Sequence, residues 1–309
     1  MNFIKSFLLI FLMCLMLHVQ AKKNDRKLTT LIEQEVAGFN GTVGVYVKNL
    51  KSEKEAVFNA DTVFPTASTI KVPIMVGVFN KIERGELDYF KPLIYTTDKQ
   101  LYKGDDGLLS SLKDSTKIAL SVVQMLSITT SDNSASLWLQ ELAGTGIVIN
   151  QLMNEIGLKN TRVNSRTPGR ESNREIYGWG QTSPREMASL LVKIRNGEII
   201  SRSACEEMYR ILGTIYYDDR ALSQIPPTVN TASKQGMVSA ARSEVVLVNA
   251  PHGDYVFAVY TKNQKDTSWE KNNEGRMLIV RLSALLWNYF EPNYGWKPAS
   301  GHEKFDGND

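Results

Sequence analysis

The sequence has almost no cysteine, so disulfide bonds cannot stabilise it. Of the two cysteines, Cys14 lies in an apolar stretch at the N-terminus and Cys205 lies in a predicted helix among charged residues. We predict below that Cys14 is removed with an N-terminal signal peptide, which leaves Cys205 without a partner for an intramolecular disulfide. We interpret Cys205 as a packing residue rather than a nucleophile. Stability must therefore come from the hydrophobic core, and a chain of this length can form a large one.

Histidine is also scarce, which narrows the possible chemistry. The three histidines are His18 in the N-terminal apolar stretch, His252 in a predicted hairpin loop and His302 near the C-terminus. This distribution argues against a Ser-His-Asp triad and against a histidine-rich zinc site. We expect no metal and no other cofactor.

The chain has no strong excess of either charge. It carries 36 basic and 33 acidic residues, which gives a formal net charge of +3. This balance gives no reason to expect nucleic acid or another polyanion as a partner. Internal repeats and low-complexity segments are absent from the sequence as well. We expect a monomer that acts on a small molecule.

The one long apolar run, Phe7 to Leu17, has the features of a secretory signal peptide. Lys5 precedes it, and Val19-Gln20-Ala21 places small residues at the two positions that a signal peptidase reads. An uncleaved membrane anchor is the alternative, but the run is shorter than the ~20 residues of a bilayer span. We predict that residues 1–21 are removed and that the mature protein is periplasmic or secreted, without a membrane anchor.

Hydrophobic periodicity predicts β-structure near both ends of the chain and helices between them. Strands are predicted at Gly41–Leu50, Ala56–Asn59, Val229–Lys234, Val245–Asn249 and Tyr255–Thr261, and helices outside them at Lys27–Ala37 and Asn273–Phe290. Thr30 and Glu33 fit a capping box for the first helix. Ser183-Pro184, followed by Glu186, marks another helix start.

This order predicts an α/β plus all-α fold class with two lobes. If the terminal strands share one antiparallel sheet, residues 22–65 and 213–290 form an α/β lobe. Residues 66–212 then form an all-helical lobe inserted between its halves, and the active cleft should lie where this lobe meets the sheet. Residues 291–309 contain proline, glycine and mixed charges, and are predicted to be a loosely ordered tail.

The first candidate for catalysis is Ser68-Thr69-Ile70-Lys71. In a helix that begins here, Ser68 and Lys71 lie on one face, so the lysine can reach the hydroxyl. A serine becomes a good nucleophile when a base takes its proton, and a neutral lysine can be that base if burial or a second cation lowers its pKa. The pattern is too short to stand alone, because Ser110-Ser111-Leu112-Lys113 also matches it and is interpreted as a solvated turn.

A second motif, Ser131-Asp132-Asn133, follows a predicted apolar helix. Ser131 is suited to pass a proton to a leaving nitrogen, and Asn133 to hold a substrate amide. The alternative interpretation is a polar helix cap.

A third motif, Lys234-Gln235-Gly236, ends a predicted strand. Gly236 would let a substrate backbone lie against the strand edge. Lys234 would be the cation that lowers the pKa of the first-motif lysine, and it would attract a carboxylate. The alternative is an ordinary solvated charge at a strand edge.

In order and spacing, the three motifs resemble those of class A β-lactamases and penicillin-binding proteins. The resemblance extends in outline from Thr42 to Asn288 and implies a β-lactamase/transpeptidase-like fold. It implies that Ser68 is the nucleophile, Lys71 a proton acceptor and Ser131 a proton shuttle. The substrate-binding residues that it implies are Asn133, Lys234, Gln235, Gly236, Met237 and Arg242. Among these, Met237 would share an oxyanion hole with the Ser68 N–H, and Arg242 would face a substrate carboxylate.

The sequence departs from this family at two places. Gln235 stands where the family usually has threonine or serine. Class A enzymes also activate the deacylating water with a glutamate in an E-x-x-L-N pattern, and Thr167 stands at that position. We expect Glu171 to replace the missing base through a changed loop register. Otherwise Glu171 is a surface carboxylate that pairs with Arg170 or Arg174.

Three functions are compatible with these residues. A serine β-lactamase that confers antibiotic resistance would open β-lactams through an acyl-enzyme on Ser68 and release the product quickly. A related peptidoglycan or ester hydrolase would keep the acylating residues but deacylate β-lactams slowly. A β-lactam or muropeptide binder would not turn over. The similarity along the chain favours the β-lactamase.

Overall fold

The computed structural model describes residues 24–102 and 107–298. The predicted signal peptide and residues 299–309 of the predicted tail lie outside the described residues. No helix within the described part is both long and apolar enough to cross a membrane.

The helices and strands follow the predicted order. The helices are α1 (Arg26–Val36), α2 (Lys71–Glu83), α3 (Leu120–Thr129), α4 (Asn133–Leu142), α5 (Thr145–Glu155), α6 (Glu171–Tyr177), α7 (Pro184–Asn196), α8 (Arg202–Leu212) and α9 (Glu274–Phe290). The strands are β1 (Thr42–Asn49), β2 (Glu55–Phe58), β3 (Phe64–Pro65), β4 (Pro92–Tyr95), β5 (Thr116–Ala119), β6 (Arg162–Val163), β7 (Gly180–Thr182), β8 (Thr231–Val238), β9 (Ala241–Val248) and β10 (Tyr255–Lys262). Short 3-10 helices lie at Ala67–Ile70, Thr97–Lys99, Leu109–Ser111 and Ala221–Gln224.

Strands from both ends of the chain share one antiparallel sheet, as predicted. Its order is β2-β1-β10-β9-β8, and β1 pairs with β10 from Thr42 opposite Lys262 to Asn49 opposite Tyr255. β9 and β10 pair across the predicted hairpin loop, and β8 pairs with β9 along its whole length. β8 is therefore an edge strand, with its outer side available to a neighbour other than β9.

Helices cover both faces of this sheet. On one face, valines and aromatic residues of the strands pack against α1 and α9. On the other face, α7 and α8 pack against the sheet, and this core continues to α2. A third apolar cluster joins α2, α3 and α4 inside the inserted region. Cys205 is buried in the second of these cores, which confirms it as a packing residue.

The fold class is confirmed, but the inserted region is not all-helical. β4 pairs with β5, and β3, β7 and β6 form a second small sheet. Strands of two to four residues are too short to show a clear period-two pattern in the sequence. Helix α7 also packs on β1, β9 and β10, so the helical lobe is less separate from the sheet than predicted. An amphipathic helix has the same pattern whether it packs on a helix or on a sheet.

Two helix starts show where local signals succeed and fail. Ser183 caps α7 as predicted, accepting the Glu186 N–H at 3.3 Å, with Pro184 in the first turn. α1 instead begins after Asp25, which accepts the Leu28 N–H at 3.1 Å. The predicted capping box at Thr30 is therefore wrong, because an earlier acidic side chain already binds the first N–H groups.

Residues 291–298 of the predicted tail contain no helix or strand, but some of their side chains contact the rest of the fold. The Glu291 carboxylate is buried, accepts the His252 N–H at 2.9 Å and pairs with its imidazole ring. The Tyr294 ring meets Trp287 edge-to-face at 5.2 Å, and Trp296 packs against the core under α9. These contacts fix the segment although its composition is typical of a loop.

Candidate active site

Ser68 lies in the 3-10 turn Ala67–Ile70, directly before α2 begins at Lys71. Because a 3-10 helix has three residues per turn, side chains at positions 68 and 71 lie in line. Ala67 has a φ of 46°, a left-handed conformation that is costly for a residue with a Cβ. The surrounding structure therefore holds this turn, and with it Ser68, in a defined position.

Lys71 is fully buried and joins the first motif to the second. Its Nζ donates to Ser131 O at 2.5 Å, to Ser131 Oγ at 3.1 Å and to Asn133 Oδ1 at 2.8 Å. A buried ammonium group costs several kcal/mol unless hydrogen bonds compensate it, and these acceptors do so. Asn133 has its oxygen occupied by Lys71, so its Nδ2 is the group that remains for a substrate carbonyl.

The Ser131 hydroxyl lies between two lysines. Its Oγ accepts from Lys71 Nζ at 3.1 Å and from Lys234 Nζ at 3.0 Å. A hydroxyl has two acceptor positions and one donor hydrogen, so both acceptor positions are occupied and the hydrogen points elsewhere. Ser131 also has a φ of 59°, so the turn between α3 and α4 holds it in an unusual backbone conformation. This geometry suits a group that donates a proton to a leaving nitrogen.

Asp132 has a structural role within the same motif. Its carboxylate caps α4 by accepting the Ala135 N–H at 2.8 Å, and it accepts the Leu109 N–H at 2.8 Å. The helix-cap interpretation is therefore confirmed for this residue. The cap fixes the turn from which the Ser131 and Asn133 side chains extend.

Lys234 is buried inside β8, so it is not the solvated strand-edge charge of the alternative interpretation. Besides Ser131, its Nζ donates to Gln235 O at 3.0 Å and to Gln235 Oε1 at 3.2 Å. Burial, followed by repulsion from Lys71 and Arg220, holds the pKa of Lys234 well below its usual value. Because Gln235 turns its oxygen to Lys234, its Nε2 is the donor that remains for a substrate.

Gly236 brings β8 against the turn that carries Ser68. A Cβ at this position would lie 2.8 Å from Ser68 N and 2.7 Å from Thr66 O, closer than real side chains come. Only glycine permits this approach without displacing the turn. Every second backbone N–H and C=O of an edge strand is unpaired, so β8 offers donors and acceptors beside Ser68. The predicted oxyanion hole between the Ser68 and Met237 N–H groups is compatible with this approach and remains a prediction.

The second Ser-x-x-Lys match, Ser110 to Lys113, lies at the protein surface. Ser110 lies in the short 3-10 helix Leu109–Ser111, and its hydroxyl donates to Gly107 O at 2.6 Å. Lys113 is exposed. The interpretation of this match as a solvated turn is therefore supported.

Arg242 lies away from the cleft, contrary to the prediction. Its guanidinium is buried, donates to Ser268 O and lies over the ring of Trp269 at 5.3 Å. The neighbouring residue Ser243 faces the nucleophile turn instead, and its Oγ donates to Thr66 O at 3.0 Å. Successive strand residues point to opposite faces, so a difference of one position moves a side chain out of the site.

Arg220 is a buried cation near Lys234 that no sequence pattern indicates. It is buried in the loop before Ala221–Gln224, and its Nη2 contacts Met237 Sδ at 3.1 Å. Its Nε lies 3.8 Å from Asp219 Oδ1, beyond hydrogen-bonding distance. A buried guanidinium with incomplete hydrogen bonding beside Lys234 is suited to bind an anion. No motif surrounds Arg220, and only the tertiary fold brings it here.

The loop at the family's glutamate position carries no acid at Thr167. The Thr167 hydroxyl is buried and donates to Ser165 O at 2.9 Å. Its side chain fills the space beside Gly146, where a Cβ would lie 1.9 Å from Thr167 Oγ1. Thr167 therefore has a packing role in this loop.

Glu171 is exposed at the first position of α6, and its carboxylate accepts the Gly169 N–H at 3.1 Å. The guanidinium of Arg170 binds Asn164 Oδ1 at 2.9 Å and Gln181 Oε1 at 2.8 Å. Among the described residues, Glu171 forms no ion pair with Arg170 or with Arg174, the two partners of the alternative interpretation. This position does not favour Glu171 as the deacylation base.

Comparisons with known proteins identify the family and the fold. A model of the "Beta-lactamase enzyme family" matches residues 25–290. Beta-lactamase VEB-1 from Pseudomonas aeruginosa is 24% identical over 305 residues, which cover 94% of this chain and 99% of that protein.

Solved structures share the fold along most of the chain. PBP-A, solved as a leucine-to-glutamate variant in an acyl-enzyme complex with penicillin G, is 29% identical with a TM-score of 0.76. The match covers 88% of this chain and 98% of that one. A β-lactamase from Chitinophaga pinensis DSM 2588 has a TM-score of 0.77 at 20% identity, covering 85% and 99% of the two chains, and shows the common fold.

Proposed function

The chain belongs to the beta-lactamase enzyme family, and on this premise we propose that it opens the amide bond of β-lactams through an acyl-enzyme on Ser68. The observation that carries the proposal is the Ser131 hydroxyl, held between Lys71 Nζ at 3.1 Å and Lys234 Nζ at 3.0 Å. This arrangement links a base near the nucleophile to a proton donor for the leaving nitrogen.

In the acylation step, the Ser68 oxygen attacks the lactam carbonyl while Lys71, in its neutral form, takes the hydroxyl proton. Repulsion between the two buried lysines disfavours the state in which both are charged, which makes a neutral lysine accessible. The N–H groups of Ser68 and Met237 would stabilise the oxyanion. When the C–N bond breaks, Ser131 gives its proton to the ring nitrogen and regains one from Lys71.

The substrate would lie along the outer edge of β8, as an added strand does. Its carboxylate would meet Lys234, Arg220 and the Nε2 of Gln235, and its amide carbonyl the Nδ2 of Asn133. We assign to Arg220 the role first expected of Arg242, because its charge acts on Lys234 and its Nε has no hydrogen-bond partner among the described residues.

A second candidate function, a penicillin-binding protein with slow deacylation, is favoured by the loop at Thr167. This position has a buried hydroxyl instead of a carboxylate, and Glu171 is exposed. The likeness to PBP-A at 29% identity supports the same candidate. Both functions need acylation of Ser68, and they differ in how long the acyl group stays.

Intact-protein mass spectrometry after mixing with penicillin G separates the candidates. We expect a mass increase of one penicillin on Ser68 within seconds. Steady nitrocefin hydrolysis together with a short-lived adduct supports the β-lactamase, whereas a persistent adduct without turnover supports the penicillin-binding protein. Absence of any adduct on the wild-type protein would contradict both.

We further propose that the enzyme acts outside the cytoplasm. The support is the pattern of residues 1–21, with a basic residue, an apolar run and small residues before a polar segment. N-terminal sequencing of the protein expressed with its native start should give Lys22 as the first residue. A retained Met1 would contradict the proposal.

A further inference from the structure

Glu244 is a buried carboxylate that the proposed mechanism does not use. It lies on β9 and is 0% exposed. Its Oε1 accepts from Ser233 Oγ at 3.1 Å, and its Oε2 accepts from the Ala221 N–H at 3.2 Å. Glu244 thus ties β8 to the residue that directly follows Arg220.

Glu244 cannot act on the substrate itself from this position. Its side chain is fully buried, and both of its carboxylate oxygens already accept hydrogen bonds from Ser233 and Ala221. Its two hydrogen bonds instead fix the backbone on which the Arg220 side chain stands.

Arg220 needs such a support because its own side-chain contacts are weak. Its Nη2 bonds to a sulfur, Met237 Sδ, and its Nε lies 3.8 Å from Asp219 Oδ1. Thioether sulfur is a weak acceptor, so these contacts alone would not hold a flexible side chain in one place.

Several charged groups lie near Glu244, so its ionisation affects their electrostatic interactions. Charged groups face it from each neighbouring element: Lys234 on β8, Arg220 and Asp219 in the loop before Ala221, and Arg276 on α9. Burial raises the pKa of Glu244 to about 7, while Arg220 opposes this shift. The negative form of Glu244 favours the charged form of Lys234.

We propose that Glu244 is a positioning residue that holds Arg220 beside Lys234, so that the guanidinium binds the carboxylate of the substrate. This inference rests on the proposed function, because it assigns Glu244 a part in recognising the β-lactam carboxylate. With this role for Glu244, the preference of the enzyme for substrates that carry a carboxylate depends on a side chain that does not contact the substrate.

The test compares acylation by penicillin G with acylation by its methyl ester, which lacks the carboxylate. In Glu244→Gln we expect the second-order rate of acylation by penicillin G to fall by about tenfold, the effect of one charge-assisted hydrogen bond. The rate with the ester should change by less than about twofold, because the ester does not use Arg220. A merely structural role would lower both rates together and would overturn the inference.

A double-mutant cycle with Arg220→Ala makes the test specific. If Glu244 acts through Arg220, Glu244→Gln adds no further loss of penicillin G acylation in the Arg220→Ala background. Independent, multiplicative losses would overturn the inference.

A second variant covers the case in which Glu244→Gln does not fold. Glu244→Asp keeps the charge but shortens the reach to the Ala221 N–H, so the same selective loss with penicillin G is expected. An unchanged ratio of acid to ester rates in a folded Glu244→Asp would contradict the inference. Failure of the proposed function would look different, since wild-type protein would then form no Ser68 adduct with either compound.

Discussion

A buried cluster (Lys71, Ser131 and Lys234) and a surface loop (residues 164–179) both lie beside the nucleophile turn. The polar groups of the cluster bind one another, whereas those of the loop bind other loop residues and the neighbouring strand and helix. In the acylating cluster, Lys71, Ser131 and Lys234 come from three distant parts of the chain and meet at one hydroxyl. The loop of residues 164–179 leads to Gly180, whose carbonyl accepts the Thr66 N–H at 2.9 Å. The C-terminal end of the loop is therefore anchored beside the nucleophile turn.

The side chains of the loop mostly bind one another and the adjacent strand and helix. Arg170 joins Asn164 to Gln181, and Gln140 of α4 donates to Ser165 O at 2.5 Å. The loop thus keeps its shape without a catalytic carboxylate. This difference indicates that separate parts of the structure support formation of the acyl-enzyme and its hydrolysis. Hydrolysis can therefore be lost while acylation is retained.

The largest effect on activity is expected when the nucleophile beside the cluster is removed. Ser68→Ala removes the attacking oxygen, so covalent labelling by penicillin G should disappear and nitrocefin hydrolysis should fall by about 10³-fold or more. Intact-mass spectrometry and initial rates measure both. Ser110→Ala, in the other Ser-x-x-Lys match, is the matched control and should behave as wild type. A retained adduct in Ser68→Ala would remove this residue from the mechanism.

The next largest effect tests the shared hydroxyl. Ser131→Ala removes the proton donor and leaves Lys71 and Lys234 facing each other without a common acceptor, so acylation should slow by about 10²–10³-fold. Stopped-flow labelling with a fluorescent penicillin gives the rate. Ser189→Ala on α7, whose hydroxyl bonds to Arg185 O at 2.7 Å, is the control for loss of a serine away from the cleft. Equal effects of the two substitutions would show that Ser131 has no proton-transfer role.

The cluster was predictable because its chemistry demands specific residue types at short spacing, and three such motifs in order are rare together. The arginine that accompanies it was not. Whether Arg220 or Arg242 reaches the cleft depends on alternation along β9 and on the path of a loop without motifs. The sequence indicates Arg242 alone as a candidate, and only the packing of β8, β9 and the segment Ala221–Gln224 brings Arg220 near Lys234.

The loop was harder to predict for a related reason. The sequence shows that Thr167 replaces a family glutamate, but the position of Glu171 depends on where α6 begins and on which groups the polar loop residues bind. The C-terminal segment gave the same difficulty, since its composition is typical of a loop and does not indicate that Tyr294 contacts Trp287 or that Trp296 packs against the core.

A smaller effect is expected on the stability of the protein, because the buried carboxyl of Glu244 ionises as the pH rises. Burial raises the pKa of Glu244 to about 7. A carboxyl with a raised folded-state pKa contributes stability below its unfolded pKa, and this contribution is lost as pH rises through about 7. The wild type should therefore lose on the order of 3 kcal/mol between pH 5 and pH 9 from this group.

Urea unfolding at several pH values, with Glu244→Gln as the comparison, measures this contribution. The glutamine cannot ionise, so the difference in unfolding free energy between the two proteins should change mainly from pH 5 to about pH 7 and level off above that. A difference that is constant from pH 5 to pH 9 would contradict a raised pKa for Glu244.

The smallest expected effect falls in the loop and sharpens the contrast with the cluster. Glu171→Gln removes a carboxylate that is exposed and bound to the Gly169 N–H. Since no acylating residue is among these contacts, the lifetime of the acyl-enzyme should stay within about twofold of wild type, as expected for a surface substitution. Single-turnover mass spectrometry with penicillin G follows the decay, and Glu175→Gln on the same exposed helix is the matched control. A lifetime extended tenfold or more in Glu171→Gln alone would make Glu171 the deacylation base. The loop would then take part in catalysis as directly as the cluster, and its self-contained hydrogen bonds would have to rearrange when the substrate binds.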